Sequence, residues 1–127
     1  MSAPDSTDRM DPGELQMVRE ALGLTGDQLA ALLEVNPRTL RAWEQGTKLI
    51  PDRVRVEVEE VEEWTARAVD QVVAALGDQR DPTIRIYRDD ATFHAEHPEA
   101  SHLPARWWRH VAYRAVSQVP GVAIVSS

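Results

Sequence analysis

Apolar residues recur along this chain at two spacings, and the change between them divides it. Leu15, Val18 and Leu22 fall at i, i+3 and i+7, one face of a helix. Asp11-Pro12-Gly13-Glu14 supplies its start, with Asp11 as N-cap, Pro12 at the first helical position and Glu14 at capping-box spacing. Gly23 stops it. Thr25 and Gln28 form a second capping box, with Leu24 and Leu29 placed as a hydrophobic staple. That helix carries Leu29, Ala30, Leu32 and Leu33. It is short, because Asn36-Pro37 follows and proline lacks an amide and disfavours helix at the residue before it. The same dipeptide opens a third helix, with Asn36 as cap and Pro37 at N1. Leu40 and Trp43 share one face, Arg38 and Arg41 another, and Gly46 ends it. Three short helices therefore fill residues 12–45, and a link of about three residues gives the last two a helix-turn-helix corner.

Pro51 opens a fourth helix that extends to Leu76. Val54, Val58, Val61, Thr65, Ala68, Val72 and Ala75 are spaced 4-3-4-3-4-3, a heptad-like seam, which Trp64, Val69, Val73 and Leu76 widen. Glu57, Glu59, Glu60, Glu62 and Glu63 cover its outside. After a break at Gly77–Pro82 the period changes. Ile84 and Ile86 alternate with Arg85 and Arg88, a short strand to which Tyr87 is the next candidate. Asp89 and Asp90 cap a helical turn through Phe93. Leu103-Pro104 starts a helix with Trp107, Val111, Arg114 and Ala115 roughly on one face, and Pro120-Gly121 ends it. Val122–Val125 is a last strand. Strand, helices, strand is a crossover, so the two strands are expected to pair in parallel. The fold class expected is mainly α: an N-terminal helix-turn-helix bundle, then a long helix and a small strand-helix-strand (α+β) dimerisation segment. Residues 1–10 read as a disordered tail, 11–50 as the helix-turn-helix domain and 51–127 as a second domain of long helix plus strand-helix-strand.

The segment Leu24–Gly46 resembles the helix-turn-helix of the Cro/repressor-like (XRE) family. Ala30 is the small residue where the third helix packs closest, Val35 plugs the turn, and Leu40 and Trp43 match the core positions of the recognition helix. Trp43-Glu44 followed by Gly46 matches the family's exit from that helix. The likeness covers roughly residues 12–53. It departs at Gly26, where relatives often carry a phosphate-binding glutamine, and at Glu34, a turn position often held by glycine. At Glu34 a positive φ would cost about 1 kcal/mol. Pro37 and Ala42 stand at base-reading positions and cannot donate hydrogen bonds.

The resemblance implies a recognition helix, Asn36–Gln45, whose start enters the major groove. Arg38 in its first turn suits a bidentate contact to guanine, and Arg41 one turn on suits a base or a phosphate. Asn36 pairs with adenine or only caps the helix. Thr39 meets a phosphate or a thymine methyl, and Gln28, Thr47 and Lys48 are backbone anchors. The plainer reading of Arg38 and Arg41 is a solvated face, and of Trp43 a core residue. The material after the reading head suits a homodimer, with Val54, Val58, Val61, Trp64, Val72, Trp107, Trp108, Val122 and Ile124 as the expected interface. The alternative is that these residues pack within one chain. In architecture and length the chain is similar to short prokaryotic and phage regulators, the anti-CRISPR-associated (Aca) repressors among them. That likeness implies autorepression of a small operon.

Composition sharpens this picture. The 127 residues carry 21 acidic and 14 basic side chains, net −7, which argues against binding polyanions by bulk charge. Yet from Arg38 to Arg55 there are five basic residues (Arg38, Arg41, Lys48, Arg53, Arg55) and two acidic ones (Glu44, Asp52), a local net of +3. Cysteine is absent, which excludes disulfides, thiolate zinc sites and cysteine nucleophiles. The acidic N-terminus and the lack of a long apolar run read as a cytoplasmic protein with no signal peptide and no membrane span. His94, His97, His102 and His110 cluster, but with no cysteine and with Pro98 between the pairs they read as surface or interface residues rather than metal ligands. No nucleophile–base pair or phosphate loop appears, so neither catalysis nor a cofactor is expected. The expected function is a sequence-specific repressor binding an inverted-repeat operator in double-stranded DNA as a homodimer. The alternatives are the antitoxin of a toxin–antitoxin pair and a protein-interaction module with a degenerate helix-turn-helix.

Overall fold

A computed structural model describes residues 9–127. The chain is mainly helical, with one small sheet. In order it forms α1 (Pro12–Ala21), α2 (Gly26–Leu33), α3 (Pro37–Gln45), α4 (Asp52–Gly77), β1 (Thr83–Ile86), α5 (Asp90–Glu96), a 3-10 turn (Pro98–Ala100), α6 (Ala105–Val116) and β2 (Ala123–Ser126). Of the tail expected over residues 1–10, residues 1–8 lie outside the described residues, and Met10 is buried. Packing divides the chain into two compact units, one ending at Glu63 and the other beginning at Trp64. The division falls inside α4.

In the first unit local chemistry fixes each helix. Asp11 Oδ2 accepts from the Gly13 amide at 2.8 Å while Glu14 reaches back to the Asp11 amide, so α1 opens with a capping box. Thr25 and Gln28 do the same for α2, their side chains exchanging bonds of 2.8 and 3.2 Å with each other's amides. Asn36 caps α3, and Pro37 occupies its first position. All three helices end alike. Just beyond each helix the chain turns left-handed, at Gly23, Glu34 and Gly46 (φ 76°, 58° and 77°), and the next amide returns to a carbonyl five residues back. This is the Schellman closure, which glycine adopts freely and glutamate adopts only against its Cβ. α3 packs against both α1 and α2. Leu15, Leu24, Leu29, Ala30, Leu40 and Trp43 are buried in this unit, as are Ile50, Val54 and Val58.

In the second unit β1 and β2 pair in parallel, with Thr83 opposite Ala123 and Ile86 opposite Ser126. Leu76, Ile84, Ala112 and Ala115 form a buried cluster, with Val72, Val73, Ile86, Trp108 and Val122 packed against it. Asp89 caps α5 through the Thr92 amide. Asp90 does something sequence spacing does not show. Its carboxylate accepts from the Ala105 amide at 2.8 Å, standing in for the side-chain cap that Pro104 cannot give α6. Thr65 is fully buried and accepts from the Trp107 indole N–H at 3.0 Å, so neither polar group is left unsatisfied.

The stripe along α4 differs from the heptad expected. Its buried positions are Val54, Val58, Val61, Thr65, Val69 and Leu76, with Val72 half-buried and Ala68 passed over for Val69. The mean step is about 3.7 residues, the period of a straight helix on a globular core rather than of a left-handed coiled coil. No helix among the described residues is long and apolar enough to cross a membrane.

Candidate nucleic-acid interface

α3 is the most amphipathic surface of the first unit. Its apolar side sinks Leu40 and Trp43 into the core, at 1% and 3% exposure. Its opposite side carries Arg38 and Arg41 into solvent. The three-residue turn Glu34–Asn36 joins it to α2, and Asn36 Oδ1 accepts from the Arg38 amide at 2.8 Å. That bond engages the acceptor of the Asn36 amide group and leaves its NH2 directed outward as a donor. It also fixes the first turn of α3, from which the Arg38 side chain projects.

The other expected anchors are placed less evenly. Thr39 is half-buried on α3. Gln28 is half-buried too, its Oε1 held by the Thr25 amide, so its remaining NH2 is the part that can donate outward. The Thr47 hydroxyl donates to the Ala42 carbonyl at 3.3 Å, which spends its proton within the loop. Lys48 is exposed in the same loop. A phosphate contact from this loop therefore falls to Lys48 more than to Thr47.

Electrostatics separates the basic residues that the sequence groups together. Glu44, one of the two acids between positions 38 and 55, is held by Arg19 of α1 in a two-pronged ion pair, Nε–Oε2 at 2.7 Å and Nη2–Oε1 at 2.9 Å. Both side chains are largely buried, and Arg19 also donates to the Leu24 carbonyl. The hydrogen bond to Glu44 holds the Arg19 guanidinium in its charged form, its pKa pushed up against the opposing effect of burial. Arg55 is held by Glu14 at 2.9 and 3.1 Å, and this bond pulls the Glu14 carboxyl below the usual range. Arg53 pairs with Glu57, and Asp52 with Arg9, both at the surface. Among the described residues no carboxylate pairs with Arg38, Arg41 or Lys48. The local excess of +3 thus resolves into three particular cations on α3 and in the loop after it. Arg53 and Arg55 drop out of the candidate contact set. The Arg19–Glu44 pair could not be anticipated, because its partners lie twenty-five positions apart and neither carries a motif.

The residues expected at a dimer interface also separate. Val54, Val58, Val61 and Trp107 are buried within the single chain, and Val72, Trp108 and Val122 are half-buried against the small-sheet cluster. Trp64 is half-buried, its ring 5.8 Å from that of Trp107. Ile124 is 57% exposed, and Val125 beside it is 40% exposed.

The histidines are engaged singly. His94 Nε2 lies 2.6 Å from the Leu103 carbonyl, His97 lies between Tyr87 and Glu99, the His102 ring lies tilted 6.4 Å from that of Trp64, and His110 meets Arg114. Among the described residues no three His, Asp or Glu side chains converge as a metal site would need.

No curated protein matches the chain. The model of the Aca2/YdiL-like family matches it over residues 10–118, from buried Met10 to just past α6, and the chain therefore belongs to that family.

Proposed function

We propose that this protein is a sequence-specific DNA-binding transcriptional repressor that acts in the cytoplasm as a homodimer on an inverted-repeat operator. One observation carries this reading. Arg38, Arg41 and Lys48 stand on and just after α3 without carboxylate partners among the described residues, while both acids in the same stretch are neutralised. An arginine in the first turn of the second helix of a helix-turn-helix suits guanine in the major groove. Membership of the Aca2/YdiL-like family supports a regulator. The resemblance to anti-CRISPR-associated repressors extends that to control of the protein's own small operon. No cofactor enters the reading.

A single reading helix addresses only a few base pairs, which is too little specificity for a genome, so the reading includes a second copy. The C-terminal strand supports this. The outer edge of β1 is covered by α6, whose Trp108 indole donates to the Arg85 carbonyl at 2.8 Å. β2 bonds to β1 on one side, and all four of its residues are exposed. An exposed strand edge bearing Ile124 and Val125 favours pairing with another strand, and a two-stranded sheet alone is marginal.

The test is selection of bound DNA from a random pool at a stated salt concentration. The expected result is one enriched site with two-fold symmetry and half-sites about 34–36 Å apart. Arg38→Ala should weaken binding to that site by about 1–3 kcal/mol and relax preference at one base position. Enrichment of no sequence at all would overturn the reading.

A further inference from the structure

We propose that the second unit carries a binding site for a small organic anion, a phosphate or carboxylate on an apolar body, at the carboxyl ends of its two parallel strands. A groove of about 390 Å³ lies there, lined by Ile86, Tyr87, Arg88, Arg109 and Ser126. Ile86 and Ser126 are the last register pair of the sheet, so the groove sits just beyond the strand ends. Open parallel sheets bind ligands at that edge, because the chain leaves the strands there and a crevice opens. The volume is that of a small-molecule site.

The chemistry of the lining selects the ligand. Two of its five residues carry guanidinium groups and none carries a carboxylate. Arg109 is fixed by α6 and by a hydrogen bond from its Nη1 to the Tyr87 carbonyl, which leaves its remaining N–H groups to donate elsewhere. Arg88 is exposed, and among the described residues it has no carboxylate partner. The acids that follow Arg88 in the chain are engaged elsewhere: Asp89 accepts from the Thr92 amide and Asp90 from the Ala105 amide, each at 2.8 Å, while Glu96 accepts from the Tyr87 hydroxyl at 3.0 Å and pairs with Arg85. From position 100 onward the sequence has no Asp or Glu side chain. The Ser126 hydroxyl adds a neutral donor. Two guanidiniums suit the planar or tetrahedral oxygens of a carboxylate or phosphate by paired N–H bonds. Ile86, half-buried at the end of β1, offers an apolar contact for the rest of the molecule. This site is separate from the α3 face, and its existence does not depend on DNA binding.

The experiment titrates phenyl phosphate, and separately inorganic phosphate, into the full chain at constant ionic strength, with amide and indole N–H signals followed by NMR. The expected result is saturable shifts confined to residues near 86–88, Arg109, Ser126 and the Trp108 indole, with phenyl phosphate binding more tightly than phosphate. Arg88→Gln, at an exposed position, should leave the fold unchanged by circular dichroism and weaken binding roughly tenfold. Arg109→Lys keeps the charge but loses the fork, and should weaken it as well. Shifts that only follow ionic strength, or that Arg88→Gln leaves unchanged, overturn the proposal. So does an Arg88-dependent response to an oligonucleotide where phenyl phosphate gives none, which would assign the groove to a nucleic-acid backbone.

Discussion

Glu44 shows how one distant partner changes the meaning of a charge. Counted along the sequence it subtracts from a basic face. Folded, it is a largely buried carboxylate locked to Arg19, and it ties α3 to α1. Removing one member of such a pair leaves the other charge poorly solvated. Glu44→Ala should therefore cost about 2–4 kcal/mol of stability, which denaturant unfolding would read as a lower midpoint at unchanged slope. Thr65 makes a smaller version of the same case. Thr65→Val keeps the shape and removes the only acceptor given to the Trp107 indole, so about 1–2 kcal/mol should be lost. Glu14 supplies a pH-dependent contribution. Its carboxyl is held below the usual range, first by the hydrogen bond from Arg55, so its folded form binds its proton less readily than its unfolded form. The stability it contributes is present above the ordinary glutamate range and is lost as pH falls through its lowered folded value. Urea midpoints of the wild type and Glu14→Gln should therefore differ at neutral pH and converge as pH falls well below the ordinary glutamate range. A gap that stayed constant with pH would assign the effect of the substitution to packing.

At the level of elements, the turn between α2 and α3 is where sequence and conformation disagree. The Schellman closure needs a left-handed residue at position 34, and this chain supplies glutamate, at φ 58°. Gly23 and Gly46 meet the same demand without strain. Glu34→Gly should relieve the Cβ clash but add freedom to the unfolded chain, for a net gain of about 0.5–1 kcal/mol in thermal unfolding. The helices and strands were legible because their signals are local: a cap, a proline at N1, an apolar period and a glycine beyond the end all lie within one or two turns. Thr25 with Gln28, and Asn36 with Pro37, needed nothing from the rest of the fold. What was not legible is long-range. The caps that Asp90 gives α6, the clasp of Arg19 on Glu44 and the Thr65–Trp107 bond each join residues that no spacing rule connects. The α4 stripe misled in a related way. Heptad and straight-helix periods coincide from Val54 to Thr65 and part only at Ala68 and Val69, where burial chooses Val69. On the candidate interface, the face holding Arg38 and Arg41 could be read from helical spacing. Which cations stay unpaired was legible only in part: the Arg53–Glu57 pair follows i,i+4 spacing on one helix, while the Arg55–Glu14 pair joins residues forty-one positions apart.

At the level of the whole molecule, a chain of net −7 presents, on one short stretch, three cations with no carboxylate partner among the described residues. In the proposed reading that stretch is where the chain meets DNA, and the net negative charge of the rest of the first unit limits non-specific binding. If each protomer of a dimer neutralises about three phosphates, log K should fall with log[salt] at a slope of about −5, and Lys48→Gln should reduce that slope by about 2 for the dimer. The proposed repressor also needs a second copy, and most of the apolar residues expected to bind it are already buried within one chain. Val54, Val58, Val61 and Trp107 are buried in one chain, so substituting them would unfold the protomer and say nothing about assembly. Ile124 differs, because more than half of its surface is exposed on a strand whose outer edge is unpaired among the described residues. Ile124→Asp leaves the β1–β2 backbone pairing available and puts a charge where a partner strand would lie. A charge on an edge strand opposes further pairing. The variant should keep its helical circular dichroism and sediment as a monomer at concentrations where the wild type is a dimer. Its affinity for a symmetric operator should fall by at least about tenfold, because each protomer then binds its half-site alone. Its affinity for an isolated half-site should be unchanged, since Arg38 and Arg41 are untouched. Dimeric sedimentation of Ile124→Asp would move the interface away from β2, and a loss of half-site binding would show that the substitution had damaged the fold instead.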